Sequence, residues 1–387
     1  MQASLSLAVG ALMVGSFAAC DPPTPERATS GLVPAAPAFA PLGSPWRRPL
    51  AAPVAFDLRW TRHGAFIAWA EPDGGRHALR GMRIDASGRP GATVTFEQTD
   101  ADVVEVALGY DPQTDRLGVA WIQRRTGEQP ALRGTSGDGE GAHFEPAAAL
   151  GPTRVDRTGV RGHLAIAAGR SPTGLRVYAR GDDDACEDGR PARCASFGAH
   201  ALPPESNAGD RPWLTVPRPC DRPVTGYLNR PPHFYYGVCH HRARDRRPET
   251  IWYGIQPEPM YAQAHPLLTG CDPRGTAVLG DAVWVTAACD GRRTGVRVRA
   301  LDVSPPVSLD ARTLRCGPTG RPVLRLDRAY PLVAPADRLA PVLPAVLAPV
   351  DAAAVWTGDV LLVARHAARR VEVSRYRCAG DQFVRDG

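Results

Sequence analysis

Residues 66–70 read Phe-Ile-Ala-Trp-Ala, a short apolar run that ends in turn residues at 72–75. A second run, Leu-Gly-Val-Ala-Trp at 117–121, repeats it, so that Trp121 follows Trp69 by 52 residues. Each run is followed by a turn and by another short apolar stretch. Short apolar segments separated by Gly, Pro and Asp turns are typical of β-strands joined in hairpins. The two units therefore predict an all-β fold built from repeats.

Weaker copies of this unit continue along the chain. They lie at 163–168 with 175–179, at 235–239 with 251–255, at 282–286 with 296–303, and at 360–365 with 371–376. A period near fifty residues with several strands in each unit is typical of a β-propeller, where radial repetition protects the sheet edges. At about 50 residues per blade, residues 54–387 predict six or seven blades. A pair of β-sandwiches, which also contain many short strands, is the alternative.

The first twenty residues, MQASLSLAVGALMVGSFAAC, lack charge from Ala3 to Ala19 and place the small residues Ala18 and Ala19 before Cys20. This pattern resembles the lipobox of bacterial lipoprotein signal peptides. The resemblance implies that a signal peptide at 1–19 is removed and that Cys20 carries a lipid. Ordinary signal-peptidase cleavage after Ala18 is the alternative, and it would leave Cys20 as a thiol.

From Cys20 to residue 53 the chain is rich in Pro, Ala, Ser, Thr and Gly and has few apolar residues that could form a core. This composition predicts a weakly ordered tether, because proline-rich chain favours an extended conformation of about 3.1 Å per residue. Low-complexity sequence with no role beyond spacing is the alternative. The predicted domains are thus a signal peptide at 1–19, a lipidated tether at 20–53 and a propeller at 54–387.

The charged residues limit the predicted partners. All 46 basic residues are arginine, 40 residues are acidic, and the net charge is +6. A positive balance suits an anionic partner such as an acidic polysaccharide or a lipid headgroup. The codon bias of a GC-rich genome is the alternative cause of the arginine content. For an exported chain we expect no nucleic-acid partner.

The chain has nine cysteines, and assigning Cys20 to the lipid leaves an even set of eight. Disulfides are the default in an oxidising, exported protein. The sequence suggests the pairs Cys186–Cys194, Cys220–Cys239, Cys271–Cys289 and Cys316–Cys378. The last pair joins equivalent strand ends and would pin neighbouring blades together. Eight cysteines allow roughly a hundred pairings, and metal binding is the alternative, although no C-x-x-C spacing is present.

Residues 135–146, Thr-Ser-Gly-Asp-Gly-Glu-Gly-Ala-His-Phe-Glu-Pro, resemble the Asp-box hairpin of sialidase-like propellers, Ser-x-Asp-x-Gly-x-x-aromatic, with one extra residue. In that motif the Asp carboxylate accepts backbone N–H groups of the turn, and the aromatic side chain packs between strands. The resemblance assigns these roles to Asp138 and Phe144. The turn at 85–88, Asp-Ala-Ser-Gly, is a more distant relative of the motif.

The resemblance to sialidases does not extend to catalysis. Those enzymes use an arginine triad, a Tyr nucleophile with a Glu, and an acid/base Asp, and their first arginine lies in an Arg-Ile-Pro motif. This motif is absent, and the nearest stretch, Phe-Asp-Leu-Arg-Trp at 56–60, does not match it. The sequence also lacks a G-x-S-x-G elbow, a P-loop, an H-E-x-x-H motif and a dinucleotide-binding glycine pattern. We therefore predict no catalytic residue.

An acidic stretch in the third unit is a candidate calcium site. Its carboxylates are the hard oxygen ligands that calcium takes, and they belong to Asp182, Asp183, Asp184, Glu187 and Asp188. The spacing matches no EF-hand or repeat calcium motif, and a solvated acidic loop is the alternative. No other cofactor is predicted.

Aromatic and cationic side chains in the fourth unit form a candidate ligand-binding surface. Aromatic rings beside cations suit a sugar or an anionic ligand, and the residues are Tyr235, Tyr236, His240, His241, Arg242, Arg244, Arg246 and Arg247. A buried strand followed by a charged solvent-exposed loop is the alternative.

Together these observations predict a lipoprotein anchored to a bacterial membrane in the cell envelope, periplasmic or surface-exposed. Its propeller would act as a binding or assembly module, with an envelope protein or an anionic polysaccharide as partner. A carbohydrate-active enzyme on the same fold, a sialidase-like glycoside hydrolase or lyase, is the alternative.

Overall fold

The structure is a computed structural model. It describes residues 46–49, 55–152, 164–168, 175–183, 194–202, 214–219, 221–228, 234–241, 249–257, 260–279, 282–299, 302–310, 313–332, 336, 338–344, 347, 352–367 and 370–386. Within these ranges the chain forms β-strands and one short 3₁₀ turn, Ala340–Val342. No helix in this part of the protein is long and apolar enough to cross a bilayer.

Five consecutive sheets are antiparallel meanders in which each strand pairs with the next, and they form the regular blades of a β-propeller. Blade 1 contains β2 (Phe56–Thr61), β3 (Gly64–Asp73), β4 (Arg76–Ile84) and β5 (Pro90–Thr99). Blade 2 contains β6 (Asp102–Asp111), β7 (Arg116–Arg124), β8 (Ala131–Asp138) and β9 (Ala148–Pro152). Blade 3 contains β10 (Leu164–Ala168), β11 (Leu175–Asp183), β12 (Cys194–Leu202) and β13 (Leu214–Pro219).

Blades 4 and 5 continue this order. Blade 4 contains β14 (Asp221–Leu228), β15 (Phe234–His241), β16 (Glu249–Pro257) and β17 (Met260–Thr269). Blade 5 contains β18 (Cys271–Leu279), β19 (Ala282–Cys289), β20 (Arg292–Arg299) and β21 (Asp302–Val303), and β22 (Val307–Ser308) also pairs with β20. The predicted all-β propeller is confirmed.

Two further sheets depart from this pattern. One has three short strands, β23 (Leu314–Cys316), β24 (Pro322–Arg325) and β25 (Ala329–Pro331). The other, the closing sheet, contains β26 (Ala353–Trp356), β27 (Leu361–Ala367), β28 (Arg370–Ala379), β29 (Gln382–Arg385) and β1 (Trp46–Pro49). β1 and β29 pair with successive halves of β28.

The predicted count of six or seven blades is therefore slightly off, since five blades are regular. A further blade would have its first strand between β18 and β26. In that position the 3₁₀ turn Ala340–Val342 contacts both β18 and β26. Pro341 lies in this turn, and proline cannot donate to a sheet ladder. In addition, Trp46–Pro49 lie within the stretch that the sequence assigns to the tether, yet they form β1 on the exposed edge of β28.

The first strands of the blades lie side by side as an inner ring. β2 contacts both β6 and β26, and the series continues through β10, β14 and β18 to the 3₁₀ turn. The second strands carry the largest buried side chains, among them Trp69, Trp121 and Trp284, which are 2%, 0% and 0% exposed. Trp69 and Trp121, which reveal the repeat in the sequence, thus lie in the core between adjacent sheets: Trp69 packs with the closing sheet and Trp121 with blade 1.

In an antiparallel meander, successive connections alternate between the two ends of the strands. The β2–β3, β4–β5, β6–β7 and β8–β9 turns therefore share one face of the propeller, here named the capped face. The β3–β4 turn, the β5–β6 connection and the β7–β8 loop share the opposite face, here named the groove face.

Candidate functional site

A groove of about 500 Å³ opens on the groove face between blades 1 and 2. Three connections supply its lining: Arg76 begins β4, Asp100 lies between β5 and β6, and Arg125 and Glu128 lie in the β7–β8 loop. This volume is within the range of small-molecule sites in proteins, roughly 300–1,000 Å³. We refer to it as the first groove.

Ion pairs within the first groove balance its charge. Glu97 accepts hydrogen bonds from Gln123 Nε2 at 2.8 Å and from Arg133 Nε at 2.9 Å. Arg125 Nη2 lies 2.6 Å from Asp100 Oδ1, and the hydrogen bond that it donates lowers the pKa of Asp100. The lining contains as many carboxylates as guanidinium groups, three of each: Glu97, Asp100, Glu128, Arg76, Arg125 and Arg133. Its surface therefore suits a ligand rich in hydroxyl or amide groups.

Carboxylates on the first strands bind the backbone of the neighbouring blade. Asp57 Oδ2 on β2 accepts the N–H of Leu108 on β6 at 2.8 Å. Glu105 Oε1 on β6 accepts the N–H of Leu164 on β10 at 2.9 Å, and this bond is buried. Because a charge-assisted hydrogen bond is stronger than a neutral one, these acids hold successive blades together.

A polar cluster on the capped face is centred on Asp115, which has a left-handed backbone with φ 52°. Its carboxylate accepts hydrogen bonds from Tyr110 Oη at 2.8 Å and His63 Nε2 at 3.0 Å, and it pairs with Arg62. Burial alone would raise its pKa, but the hydrogen bonds from Arg62, His63 and Tyr110 outweigh this effect and lower the pKa of Asp115 to about 2. Burial and the bond to Asp115 raise the pKa of Tyr110 to about 12. At neutral pH Asp115 is therefore no proton donor, and Tyr110 is no phenolate nucleophile.

The Asp-box resemblance holds in three dimensions. Asp138 ends β8, and its carboxylate accepts the N–H groups of Ala142 at 2.9 Å and His143 at 3.1 Å. The Phe144 ring packs against Phe96 and Phe66 of blade 1, with centroid distances of 4.7 and 5.8 Å. Both roles that the resemblance assigns are confirmed, and the aromatic contact joins two blades.

The predicted ligand-binding residues divide between β15 and the segment that follows it. Tyr235 and Tyr236 lie near the start of β15, towards the capped face, where their backbones pair with Ile255 and Gly254 of β16. His240 and His241 end β15 on the groove face. The four arginines of this cluster lie outside the described residues: Arg242, Arg244, Arg246 and Arg247. The ligand surface thus stays a prediction, and β15 places the two tyrosines and the two histidines towards opposite ends of the strand.

The predicted calcium ligands are placed only in part. Asp182 and Asp183 end β11 on the groove face, opposite Ala195 and Cys194 of β12. Asp184, Glu187 and Asp188 lie outside the described residues. In the part of the chain that is described, no group of three or more His, Cys, Asp or Glu residues is arranged to hold a metal ion.

Two of the four suggested disulfides are present. Cys271 and Cys289 join the start of β18 to the end of β19, and Cys316 and Cys378 join β23 to β28 of the closing sheet. The expectation that the second bridge pins neighbouring sheets is confirmed. For the other two suggested pairs, Cys194 lies in β12 and Cys239 in β15, whereas their suggested partners Cys186 and Cys220, like Cys20, lie outside the described residues.

Sequence reasoning missed the polar contacts between blades. Asp57 and Glu105 carry no motif, and only their positions on first strands indicate their role. Arg375 of β28 donates hydrogen bonds to the backbone oxygen of Ser87 and to Asp386. Ser87 lies 288 residues away along the chain, so no local pattern connects the two residues.

The chain matches no family model and no curated protein sequence. Among solved structures it is similar to a Dyadobacter fermentans protein of unknown function, with 8% identity, a TM-score of 0.46 and coverage of 88% of this chain and 98% of that one. It is similar to Trypanosoma rangeli sialidase, with 10% identity, a TM-score of 0.43 and coverage of 89% and 58%. It is also similar to the propeller domain of a Pyrococcus furiosus protease, with 9% identity, a TM-score of 0.43 and coverage of 86% and 96%. At such low identities these likenesses concern the fold alone.

Proposed function

We propose that this chain is a lipoprotein, anchored through Cys20 to a bacterial membrane, whose propeller acts as a binding or assembly module in the cell envelope. The lipobox-like sequence before Cys20 supports the anchor. The strand β1 supports a tether that attaches at the outer edge of the closing sheet, since Trp46–Pro49 pair with β28 there. A tether of some 25 residues between these two points would reach tens of ångströms at about 3.1 Å per residue.

The binding role is supported by the hydrogen bonds and charges of three acidic side chains. Two lie on the inner ring, and the third lies in the β6–β7 turn. Asp57 and Glu105 are engaged with backbone N–H groups. Asp115 is ionised far below neutral pH. A general acid needs a pKa close to the working pH, so the Asp115 carboxylate suits structural work better than proton donation. Binding without chemistry is therefore the better supported role.

The first groove is our candidate for the contact surface. It is open and polar, and ion pairs join Arg125 to Asp100 and Arg133 to Glu97 within it. A partner rich in hydroxyl or amide groups would add hydrogen bonds there without having to neutralise a large charge. An envelope polysaccharide or the polar rim of an envelope protein has this chemistry.

Position-specific photo-crosslinking in native membranes tests the proposal. A photo-reactive residue is placed in the full chain at Gln129, which is exposed and lines the first groove. The matched control carries it at Ala142, which is exposed on the capped face. We expect one discrete adduct from the Gln129 variant and none from the Ala142 variant. Equal adducts from both positions, or none from either, would contradict the binding role of the groove.

A turnover assay on the same preparation separates binding from catalysis. Sialosides and uronate-containing glycans are incubated with the full chain, and released sugars are measured. We expect no release above the blank. Turnover that disappears in an Asp115→Asn or Asp57→Asn variant which still folds would favour the carbohydrate-active enzyme instead.

A further inference from the structure

A second groove lies on the capped face beside the Cys316–Cys378 bridge, with a volume of about 650 Å³. The turn that joins β23 to β24 and the turn that joins β28 to β29 line it. The bridge holds these two turns together, because Cys316 ends β23 and Cys378 lies near the end of β28. The groove is therefore built across two sheets and is fixed by a covalent bond.

Two arginines lie on the solvent side of the three-stranded sheet and line this groove. Arg315 pairs across the ladder with Val323, so Arg325, two residues further on, is its diagonal neighbour on the same side. Diagonal neighbours are about 7–8 Å apart at the backbone, which is within reach of long side chains. Both arginines are exposed, whereas Leu314 and Leu324 beside them are buried. The two guanidinium groups can therefore approach one ligand.

The second groove contains fewer carboxylates than guanidinium groups. Neither Arg315 nor Arg325 forms an ion pair with another described residue, in contrast to Arg125 and Arg133 of the first groove. One carboxylate, that of Asp381, lies in the lining. The groove therefore carries an excess of positive charge, which attracts anions.

The remaining lining leaves the backbone open to a ligand. Gly320 and Gly380 both have left-handed φ angles, of 69° and 65°, and no atom lies within 4 Å of where a Cβ would be. Glycine at such positions allows a ligand to approach the backbone closely. Guanidinium groups bind carboxylate and phosphate with two parallel hydrogen bonds, and this geometry favours arginine over lysine.

We propose that the Arg315–Arg325 groove is a binding site for an oxyanion, the carboxylate group of an acidic glycan, because a concave groove admits a sugar chain more readily than a flat membrane surface. The site is separate from the first groove and does not require that groove to bind anything. It would give the propeller an anionic contact on the capped face in addition to a polar contact on the groove face.

Binding of two anionic probes to the full-length Cys20→Ser variant tests the site, because without the proposed lipid the chain cannot enter vesicles through an anchor. The probes are a fluorescent oligogalacturonate, which carries only carboxylates, and phosphatidylglycerol vesicles, which carry only phosphates. A neutral malto-oligosaccharide and phosphatidylcholine vesicles are their uncharged counterparts. We expect the oligogalacturonate to bind and the malto-oligosaccharide not to bind, whereas binding of the phosphatidylglycerol vesicles alone would assign the site to a lipid headgroup and overturn the glycan. Failure of both anionic probes would overturn the proposal.

Charge-matched variants distinguish the site from general attraction. Arg315→Gln with Arg325→Gln removes both guanidinium groups, and Arg89→Gln with Arg292→Gln makes the same change in net charge at exposed arginines outside the groove. We expect at least tenfold weaker binding for the first pair and less than a twofold change for the second. Equal losses in both would overturn the site.

Two further variants keep the test valid if the double replacement fails to fold. Arg315→Lys with Arg325→Lys keeps the charge but removes the planar fork, so we expect an intermediate loss of affinity. Asp381→Asn removes the carboxylate in the lining and should tighten binding about two- to threefold. Weaker binding in the Asp381 variant would contradict the inferred position of the anion.

Discussion

The β4–β5 turn of blade 1 and the β8–β9 turn of blade 2 hold the same place in successive blades, but they attach to their neighbours differently. Each is capped by an aspartate: Asp85 accepts the N–H of Arg89 at 2.9 Å, and Asp138 accepts two N–H groups of its own turn. The first turn is held to the closing sheet by Arg375, which donates to the backbone oxygen of Ser87. The second turn is held to blade 1 by the Phe144 ring.

The comparison shows that the aspartate cap depends on nearby residues, whereas attachment to a neighbouring sheet depends on a residue far away in the chain. An aspartate cap needs only residues of its own turn, so both turns keep it although their sequences differ. Adhesion between sheets needs a partner from elsewhere in the chain, and here an aromatic cluster and a guanidinium group fulfil the same need. The Cys316–Cys378 bridge is a third, covalent way of joining neighbouring sheets.

The covalent contact should have the largest effect on stability. Replacing Cys316 and Cys378 by Ser opens a loop of 62 residues, which corresponds to about 4 kcal/mol in the chain-entropy model. We expect urea unfolding to show a loss of this order. The control replaces Cys271 and Cys289, whose loop of 18 residues corresponds to about 3 kcal/mol. A smaller loss for the longer loop would contradict the assigned role of the bridge.

The aromatic contact should come next. Phe144→Ala removes a half-buried ring that touches Phe66 and Phe96, and we expect a loss of about 2 kcal/mol, below the range for fully buried rings. His143→Ala is the neighbouring control, since the exposed His143 contributes its backbone N–H to the turn. Urea unfolding that gave equal losses for both variants would show that the ring does not join the blades.

The polar contact should have a smaller effect that depends on salt. Arg375→Ala removes the bonds to Ser87 and Asp386, and we expect a loss of about 1.5 kcal/mol. Arg377→Ala is the control, because Arg377 pairs with the same Asp386 but is half exposed, and we expect it to cost less than about 0.5 kcal/mol. In 1 M NaCl, where screening is strong, the loss caused by Arg375→Ala should shrink while that of Phe144→Ala does not. If salt changed the loss of stability equally in Arg375→Ala and Phe144→Ala, the two turns would not differ in how they attach to their neighbours.

The smallest effect concerns the polar cluster beside the second turn. The pKa of Asp115 falls from 3.8 to about 2 on folding, so its ionised form contributes stability above pH 4 that is lost as the pH falls towards 2. Asp115→Asn should therefore cost less than about 1 kcal/mol at pH 7, because the site is partly solvated. The difference from the native chain should close between pH 4 and pH 2. A difference that stayed constant over this range in pH-dependent unfolding would contradict the ion pairing.

Local sequence was sufficient to predict the elements and their caps. Trp69 and Trp121 indicate the repeat because each holds the same place on a second strand and packs against the neighbouring sheet. Asp138 and Phe144 were found because a hairpin motif lies within ten residues. The Cys271–Cys289 pair was found because its partners are close along the chain.

The contacts that close the ring could not be predicted in this way. Arg375 reaches Ser87 only because the ring returns the last sheet to the first blade. Glu105 reaches Leu164 only because two first strands lie side by side. Local sequence does not predict the two grooves either, because each is lined by residues from different sheets or blades.

We propose that this propeller works at a membrane surface through a lipid on Cys20, and metabolic labelling of that lipid is the decisive experiment. Cells that produce the full chain are grown with an alkyne-tagged fatty acid, and the purified protein is probed for the tag and fractionated with membranes. We expect the native chain to be labelled and to sediment with membranes, and the Cys20→Ser variant to be unlabelled and to stay out of the membrane fraction. A Cys20→Ser variant that still partitions with membranes, or a native chain without label, would contradict this proposal.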